Sequence, residues 1–263
     1  ALEYEYEYGT VLKLKKVLSL QRGEVRIVII ADTKVASCDA WLKDLLDAKP
    51  LVTAVSELPY LALEWFQTKA TALGFGESHK AFSVQKYKTP PRNATGIVIY
   101  ESWGKTETKV KQGAVDFGLE ITQTGSAIAN YGLHVVDEVM QSEAGIWANP
   151  ALLTDPAKLD LARMFLLNLY GSIYAENKVL LTFNAKKGDV ERLLVYLREH
   201  RLFGDEPTMK EGVYFTEFTI KLDAANKTLP LAKARYDLAK LGATHIETIP
   251  LESSIPGLDA IDL

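Results

Sequence analysis

Apolar positions follow two rhythms along the chain. Val25 to Ala31, Leu51 to Val55 and Ile97 to Tyr100 are short, nearly continuous runs rich in β-branched residues, the pattern of strands buried on both faces, and a parallel sheet is the natural reading. Between them, Asp39 to Ala48 spaces Trp41, Leu42, Leu45 and Leu46 along one helix face and is stopped by Pro50. Ser56-Glu57 opens a second helix through Leu61, Trp65 and Phe66, with Pro59 in its first turn. The opening Tyr4 to Tyr8 alternates with period two and predicts a strand. Ala81 to Tyr87 predicts another, and Ser102 to Glu107 a loop before a short helix that Lys109 to Gly113 closes. Val135 to Met140 and Ala144 to Ala148 predict short strands, and Pro156 to Tyr174 an amphipathic helix.

From Asn177 the pattern becomes strand (178–184), helix (188–199), strand (212–222), helix (229–241) and strand (244–250). Two βαβ-like halves of this kind make a small ferredoxin-like βαββαβ module. The chain is therefore α/β, with a larger N-terminal part and a C-terminal module suited to ligand sensing or regulation.

The totals narrow the chemistry. With 263 residues, 48% of them apolar, the chain can bury a large core divided among two or three lobes. A net charge of −4 with the signs well mixed advertises no surface for nucleic acid, so an anionic ligand needs a local site. The single Cys38 excludes an intrachain disulfide and reads as a buried small residue; a reducing, cytoplasmic setting suits it. No run approaches a membrane span and no export signal is visible. His79, His134, His200 and His245 lie on separate elements without metal-ligand spacing, so no metal ligands are assigned.

The informative stretch is Gly113 to Leu133. A strand from Val115 to Ile121, interrupted by Asp116 and Glu120, runs into the small-residue turn Thr122-Gln123-Thr124-Gly125-Ser126 and then a helix start. Such a junction turns backbone N–H groups outward and adds hydroxyl donors, which suits a phosphate, while Glu120 just before it can accept hydrogen bonds from a sugar diol. The same spacing also describes an ordinary strand-to-helix turn capped by Thr124 or Ser126. Ser56 likewise serves either as a cap or as a ligand contact. Glu107, flanked by Lys105 and Lys109, is open to a plain surface ion pair.

Several ordered motifs resemble one family. Val55-Ser56-Glu57-Leu58-Pro59-Tyr60 is similar to its Ser-Glu-x-Pro segment, Gly104-Lys105-Thr106-Glu107 to its Gly-x-x-Glu loop, and Glu120 to Ser126 to its acid followed by Thr-Gly-Ser/Thr. Gly132-Leu133 closes that loop, and Glu206-Pro207-Thr208-Met209 and Leu241-Gly242-Ala243-Thr244-His245 fall where the family's regulatory domain has Pro-Thr and Leu-Gly-Ala. The chain thus resembles ATP phosphoribosyltransferase, the first enzyme of histidine biosynthesis, in its long form. The resemblance implies a two-lobed, periplasmic-binding-protein-like catalytic part and a C-terminal regulatory domain. It divides the chain into a remainder of catalytic domain I (1–28), a phosphoribosyl pyrophosphate-binding domain II (29–128), a return to domain I (129–176) and the regulatory domain (177–263).

What the resemblance implies for chemistry is attack of the ATP adenine N1 on C1 of phosphoribosyl pyrophosphate, with Mg²⁺ sharing the charge of the departing pyrophosphate. Glu120 and Glu107 become the catalytic residues, and Thr122, Thr124, Gly125, Ser126, Ala127, Ser56 and Glu57 the substrate contacts. Histidine becomes the feedback inhibitor, lined by Thr208 and Ala243, and a homo-oligomer, dimer or hexamer, is expected. Two departures stand out. Ala127 replaces a hydroxyl and Ala129 a basic residue of the family's loop, and the family's Lys-Gly-Arg-Leu and Asp-Leu-Gly-Ile motifs do not precede Ala1, so half of one wall of the active site is expected to be absent. That absence favours a rival reading, a non-catalytic or truncated sensor with the same two-lobed plan.

Overall fold

The computed structural model describes residues 1–202 and 207–261, in two units, Ala1–Asn149 and Pro150–Leu263. In the first unit the chain forms helix α1 (Leu2–Tyr8), strands β1 (Lys15–Ser19) and β2 (Val25–Ala31), α2 (Cys38–Ala48), β3 (Leu51–Ser56), α3 (Pro59–Ala72) and β4 (Phe82–Lys86). It continues with β5 (Gly96–Glu101), α4 (Thr106–Lys111), β6 (Phe117–Thr122), α5 (Ser126–Asn130), β7 (His134–Ser142) and β8 (Gly145–Ala148). Six strands pair in the order β4-β5-β3-β6-β2-β7.

β4, β5, β3 and β6 run parallel, as their apolar runs suggest. The expectation of parallel pairing is corrected at β2, which is antiparallel to both β6 and β7. A continuous β-branched run reports that both faces are covered, and it carries no information about the direction of neighbouring strands. One face packs Ile27, Ile29, Ala54 and Phe117 under α2 and α3, with the Trp65 and Phe117 rings edge to face at 5.4 Å. The other packs Val28, Ile30, Val55 and Val98 under Val110 of α4 and Ile128 of α5. Asp116 fastens the start of β6 to β3, accepting from the Thr53 N–H at 2.8 Å and the Thr53 hydroxyl at 3.0 Å, with Lys49 on its other oxygen. β1 and β8, just before β2 and just after β7, pair with each other as a two-stranded antiparallel ribbon.

The strand expected at Tyr4 to Tyr8 is instead helix α1. Five residues of Tyr and Glu satisfy either period, and contacts elsewhere in the fold decide between them. The rings of Tyr4 and Tyr8, one turn apart, meet tilted with their centroids at 4.5 Å, and the Glu3 carboxylate accepts from the N–H groups of Tyr60 and Leu61 at 2.9 and 2.6 Å. Those are first-turn amides of α3, which has no side-chain cap at its own N-terminus, so α1 supplies one from a distance.

In the second unit, α6 (Pro156–Ala175) precedes β9 (Lys178–Lys186), α7 (Val190–Glu199), β10 (Thr208–Glu211), β11 (Phe215–Asp223), α8 (Leu231–Lys240) and β12 (Thr244–Pro250). The four strands pair in the order β10-β11-β9-β12, all antiparallel, which is the ferredoxin-like arrangement. Alternate residues of β9 and β11 face the core, where Phe183 and Phe218 stack at 5.0 Å. Gly212 to Tyr214 form a hairpin turn, closed by Gly212 N–H to the Phe215 carbonyl, so the strand expected from Gly212 starts at Phe215 and a further strand precedes it. Helix α6 is as predicted, but it is not amphipathic: Leu161, Met164 and Phe165 are exposed while Leu166, Gly171 and Ala175 are buried. Glu206 lies outside the described residues. The α/β reading with a separate antiparallel C-terminal sheet therefore stands.

Candidate functional site

Parallel strands end together, so the loops after them meet at one sheet edge, the usual place for a ligand in an open α/β sheet. Here the edge gathers the residues after β3, β5 and β6. Glu57 follows β3 and its carboxylate accepts from the Gly104 N–H in the loop after β5, at 2.5 Å, tying the two loops together. Ser56 is fully buried, and its hydroxyl accepts from the Leu58 N–H at 2.8 Å, so it holds the entry into α3. Glu107 sits in the first turn of α4. Lys109 does not pair with it: the ammonium donates to the Gly104 and Lys105 carbonyls and lies over the Tyr87 ring.

Gly118 positions α4 against β6. A Cβ there would come within 2.7 Å of Thr106 Cγ2 and 3.1 Å of Val110 Cγ2, so only glycine lets the helix lie this close. Glu120 is two residues further along β6, on the same face of the sheet. Burial raises the Glu120 carboxyl above its ordinary value and the charges of Glu107 and Glu57 push it the same way, while the Ile121 N–H and the Thr106 hydroxyl oppose. Glu120 folds back onto that Ile121 N–H at 2.9 Å. Thr106 is 1% exposed, and its buried hydroxyl lies near Glu120 without a hydrogen bond of proper geometry; it is the one buried side-chain polar atom among the described residues with no such bond. Lys109 is lowered by its own burial and by Lys105, and the carboxylates of Glu120, Glu107 and Glu57 pull it back up, so three acids and two amines share this edge.

The turn after β6 is built as expected. Gly125 takes φ +75° as the residue before α5, a conformation that favours glycine. The Thr122 hydroxyl accepts from the Gly125 N–H at 2.9 Å, and the Thr124 hydroxyl meets both the Ser126 hydroxyl at 2.8 Å and the Ser126 N–H at 3.3 Å. Donors thus cluster in the turn and are partly occupied by its own hydroxyls. Thr124, Ser126 and Ala127 are exposed and Gly125 is half-buried.

Glu120, Glu107, Glu57 and the turn from Thr122 to Ala127 are thereby brought to one edge. Thr208 and Ala243 are not brought to each other: Thr208 is on the edge strand β10, and the buried Ala243 precedes the opposite edge strand β12, with two strands between them. Sequence reasoning missed Thr106 and Lys109. Cys38 is half-buried rather than buried, and burial and Asp137 push its thiol up to about 11, which favours the thiol over the thiolate. His79 is a core residue between the Ser78 hydroxyl and the Lys49 carbonyl. Among the described residues no cluster of acids, histidines or cysteines has the geometry to hold a metal by itself, and no helix is long and apolar enough to cross a membrane.

Comparison with known proteins bears on the family. The family model HisG, ATP phosphoribosyltransferase, matches residues 3–167, a stretch that contains every residue of the sheet-edge site and excludes Thr208 and Ala243. ATP phosphoribosyltransferase 1 of Geobacter sulfurreducens is 31% identical over 162 residues, 60% of this chain and 53% of its own. The ATP phosphoribosyltransferase of Pelodictyon phaeoclathratiforme is 33% identical over 106 residues, 40% of this chain and 36% of its own. The chain thus spans about half the length, or less, of these curated relatives. A chain of the ATP phosphoribosyl transferase (HisG:HisZ) complex from Thermotoga maritima overlaps 62% of this chain and 63% of its own, with a TM-score of 0.41 and 16% identity. With more than half of its residues matched, the chain belongs to the ATP phosphoribosyltransferase family.

Proposed function

We propose that this chain takes part in the first step of histidine biosynthesis, transfer of the phosphoribosyl group from phosphoribosyl pyrophosphate to N1 of the ATP adenine with release of pyrophosphate. The observation that carries the reading is Glu120 at the end of β6, followed at once by the donor-rich turn from Thr122 to Ala127. The turn receives the 5′-phosphate once the Thr122 and Thr124 hydroxyls rotate away, and Glu120 leaves the Ile121 N–H to accept the ribose hydroxyls. The nucleophile belongs to the substrate, so the chain's task is to align two anions and meet the charge that develops between them. Glu107 and Glu57 orient the second substrate from the neighbouring loops.

Glu57, Glu107 and Glu120 are hard oxygen donors that suit Mg²⁺ shared with substrate phosphates, since that ion is usually held by one or two carboxylates plus the substrate. When bound, Mg²⁺ would neutralise charge on the departing pyrophosphate. In the proposed plan the six-stranded sheet is the phosphoribosyl pyrophosphate-binding domain, the β1–β8 ribbon leads to catalytic domain I, and the ferredoxin-like unit senses histidine near Thr208 or Ala243. A homo-oligomer in the cytoplasm completes the proposal.

The test is release of pyrophosphate from ATP and phosphoribosyl pyrophosphate with Mg²⁺. Turnover by the wild-type chain, and a loss of tenfold or more in kcat/KM on Glu120→Gln, about 1.4 kcal/mol per tenfold, is the expected result. Binding of phosphoribosyl pyrophosphate without any product leaves the sensor reading in its place.

A further inference from the structure

A phosphate at the turn after β6 meets an electrostatic problem. The turn and the helix after it carry no Lys or Arg between Ile121 and Leu133, the chain has a net charge of −4, and three carboxylates share the sheet edge. Helix α5 has five residues, too few for its peptide dipoles to stand in for a cation. A phosphate dianion drawn from water into such surroundings needs a positive partner.

Arg26 is placed to be that partner. It lies directly opposite Thr122 in the β2–β6 register, so both side chains project from the same face of the sheet. Its Nη2 is 3.5 Å from the point that a Cβ on Gly125 would occupy, which sets the guanidinium against the middle of the turn. It pairs with Glu138 at 3.4 Å, a long contact between groups whose side chains are 38% and 36% exposed, and such pairs hold weakly. Arg26 also borders a cavity of about 480 Å³ together with Gln123 of the turn, so there is room beside the loop for a sugar phosphate. Of the acids lining that cavity, Glu143 is taken up by Lys16 and by the Ser19 hydroxyl. Of the lysines near this segment, Lys111 is bonded to Asp32 at 2.6 Å and stands at Gly132, the far end of α5, while Lys109 donates to the Gly104 and Lys105 carbonyls in the loop after β5.

We propose that Arg26 is the phosphate-binding cation of this site, held by Glu138 when the site is empty and swinging onto the phosphoryl oxygens of a sugar phosphate when it fills. The planar guanidinium can grip two phosphoryl oxygens at once, which an ammonium cannot. Glu138 is then a placeholder, and its removal frees the arginine. This inference rests on the reading of the turn as the phosphate site and adds to it a residue from a different strand.

Calorimetric titration of the full chain with ribose 5-phosphate tests it. Arg26→Gln is expected to weaken binding by about tenfold or more and Arg26→Lys by less, because a lysine keeps the charge and loses the fork. Glu138→Gln is expected to tighten binding by a few fold, about 1 kcal/mol or less, as a weak competing ion pair disappears. Wild-type binding that is unchanged in a folded Arg26→Gln overturns the role of Arg26 and leaves the turn intact as the site. If Arg26→Gln does not fold, Glu138→Gln decides alone: affinity equal to or weaker than wild type overturns the proposal. A wild-type chain that does not bind ribose 5-phosphate defeats the phosphate reading of the turn itself.

Discussion

Glu120 must be ionised to accept two hydroxyls, yet burial and two like charges favour its protonated form. Affinity for ribose 5-phosphate is therefore expected to fall as pH drops through a midpoint above the ordinary carboxylate value, and Glu107→Gln, by removing a like charge, is expected to move that midpoint down. Titration of both proteins checks it, and an unmoved midpoint speaks against the proximity of the two acids. The same shift has a stability consequence of definite sign. The folded state holds the Glu120 proton more tightly than the unfolded chain does, so this group favours folding at low pH and the benefit is withdrawn as pH rises from the unfolded value through the raised one. Thr106 gives a second expectation. Its hydroxyl is buried without a proper hydrogen bond, so Thr106→Val is expected to stabilise the fold by about 1 kcal/mol in urea melts. It also removes a contact that favours the carboxylate, so the Glu120 midpoint should rise in Thr106→Val and stay put in Thr106→Ser.

Among the elements, α4 matters most, because it carries Thr106 and Glu107 and touches β6 at a glycine. Gly118→Ala forces a methyl group within 2.7 Å of Thr106 and is expected to cost about 1–3 kcal/mol in a urea melt. The folded fraction should also bind ribose 5-phosphate more weakly, since the helix must shift; unchanged affinity would mean that α4 does not help to shape the site. Most elements were legible from period alone: β3, β5, β9 and α2 are where their apolar spacing puts them. Others were not, α1 and the direction of β2 among them, and for different reasons. The alternating tyrosines and glutamates of α1 fit either period, and the choice rests on Glu3 reaching the first-turn amides of α3, more than fifty positions away in sequence. The direction of β2 is set by its neighbours, which a buried run cannot name.

At the scale of the whole molecule there are two units with separate cores, Phe117 at the centre of one and Phe183 with Phe218 at the centre of the other. Unfolding should then depart from a single all-or-none transition. Phe183→Ala, at a side chain 1% exposed, is expected to cost the C-terminal unit about 3–5 kcal/mol. Scanning calorimetry should show one transition falling while the other keeps its temperature, and ribose 5-phosphate binding should survive below both. Collapse of both transitions together would show that the units do not unfold independently.

The order of residues by itself determined the α/β class, the ferredoxin-like module, the acid-then-turn stretch from Glu120 to Ser126 and the family resemblance, because each depends on neighbours a few positions apart. Only the tertiary structure decided which loops meet. Sheet order brings Glu57, Glu107 and Glu120 to one edge, and antiparallel register sets Arg26 across from Thr122, nearly a hundred positions away. Close approach at Gly118 buries the Thr106 hydroxyl against Glu120. Pairing and packing join distant segments through hydrogen bonds and excluded volume, and local periodicity carries no record of either.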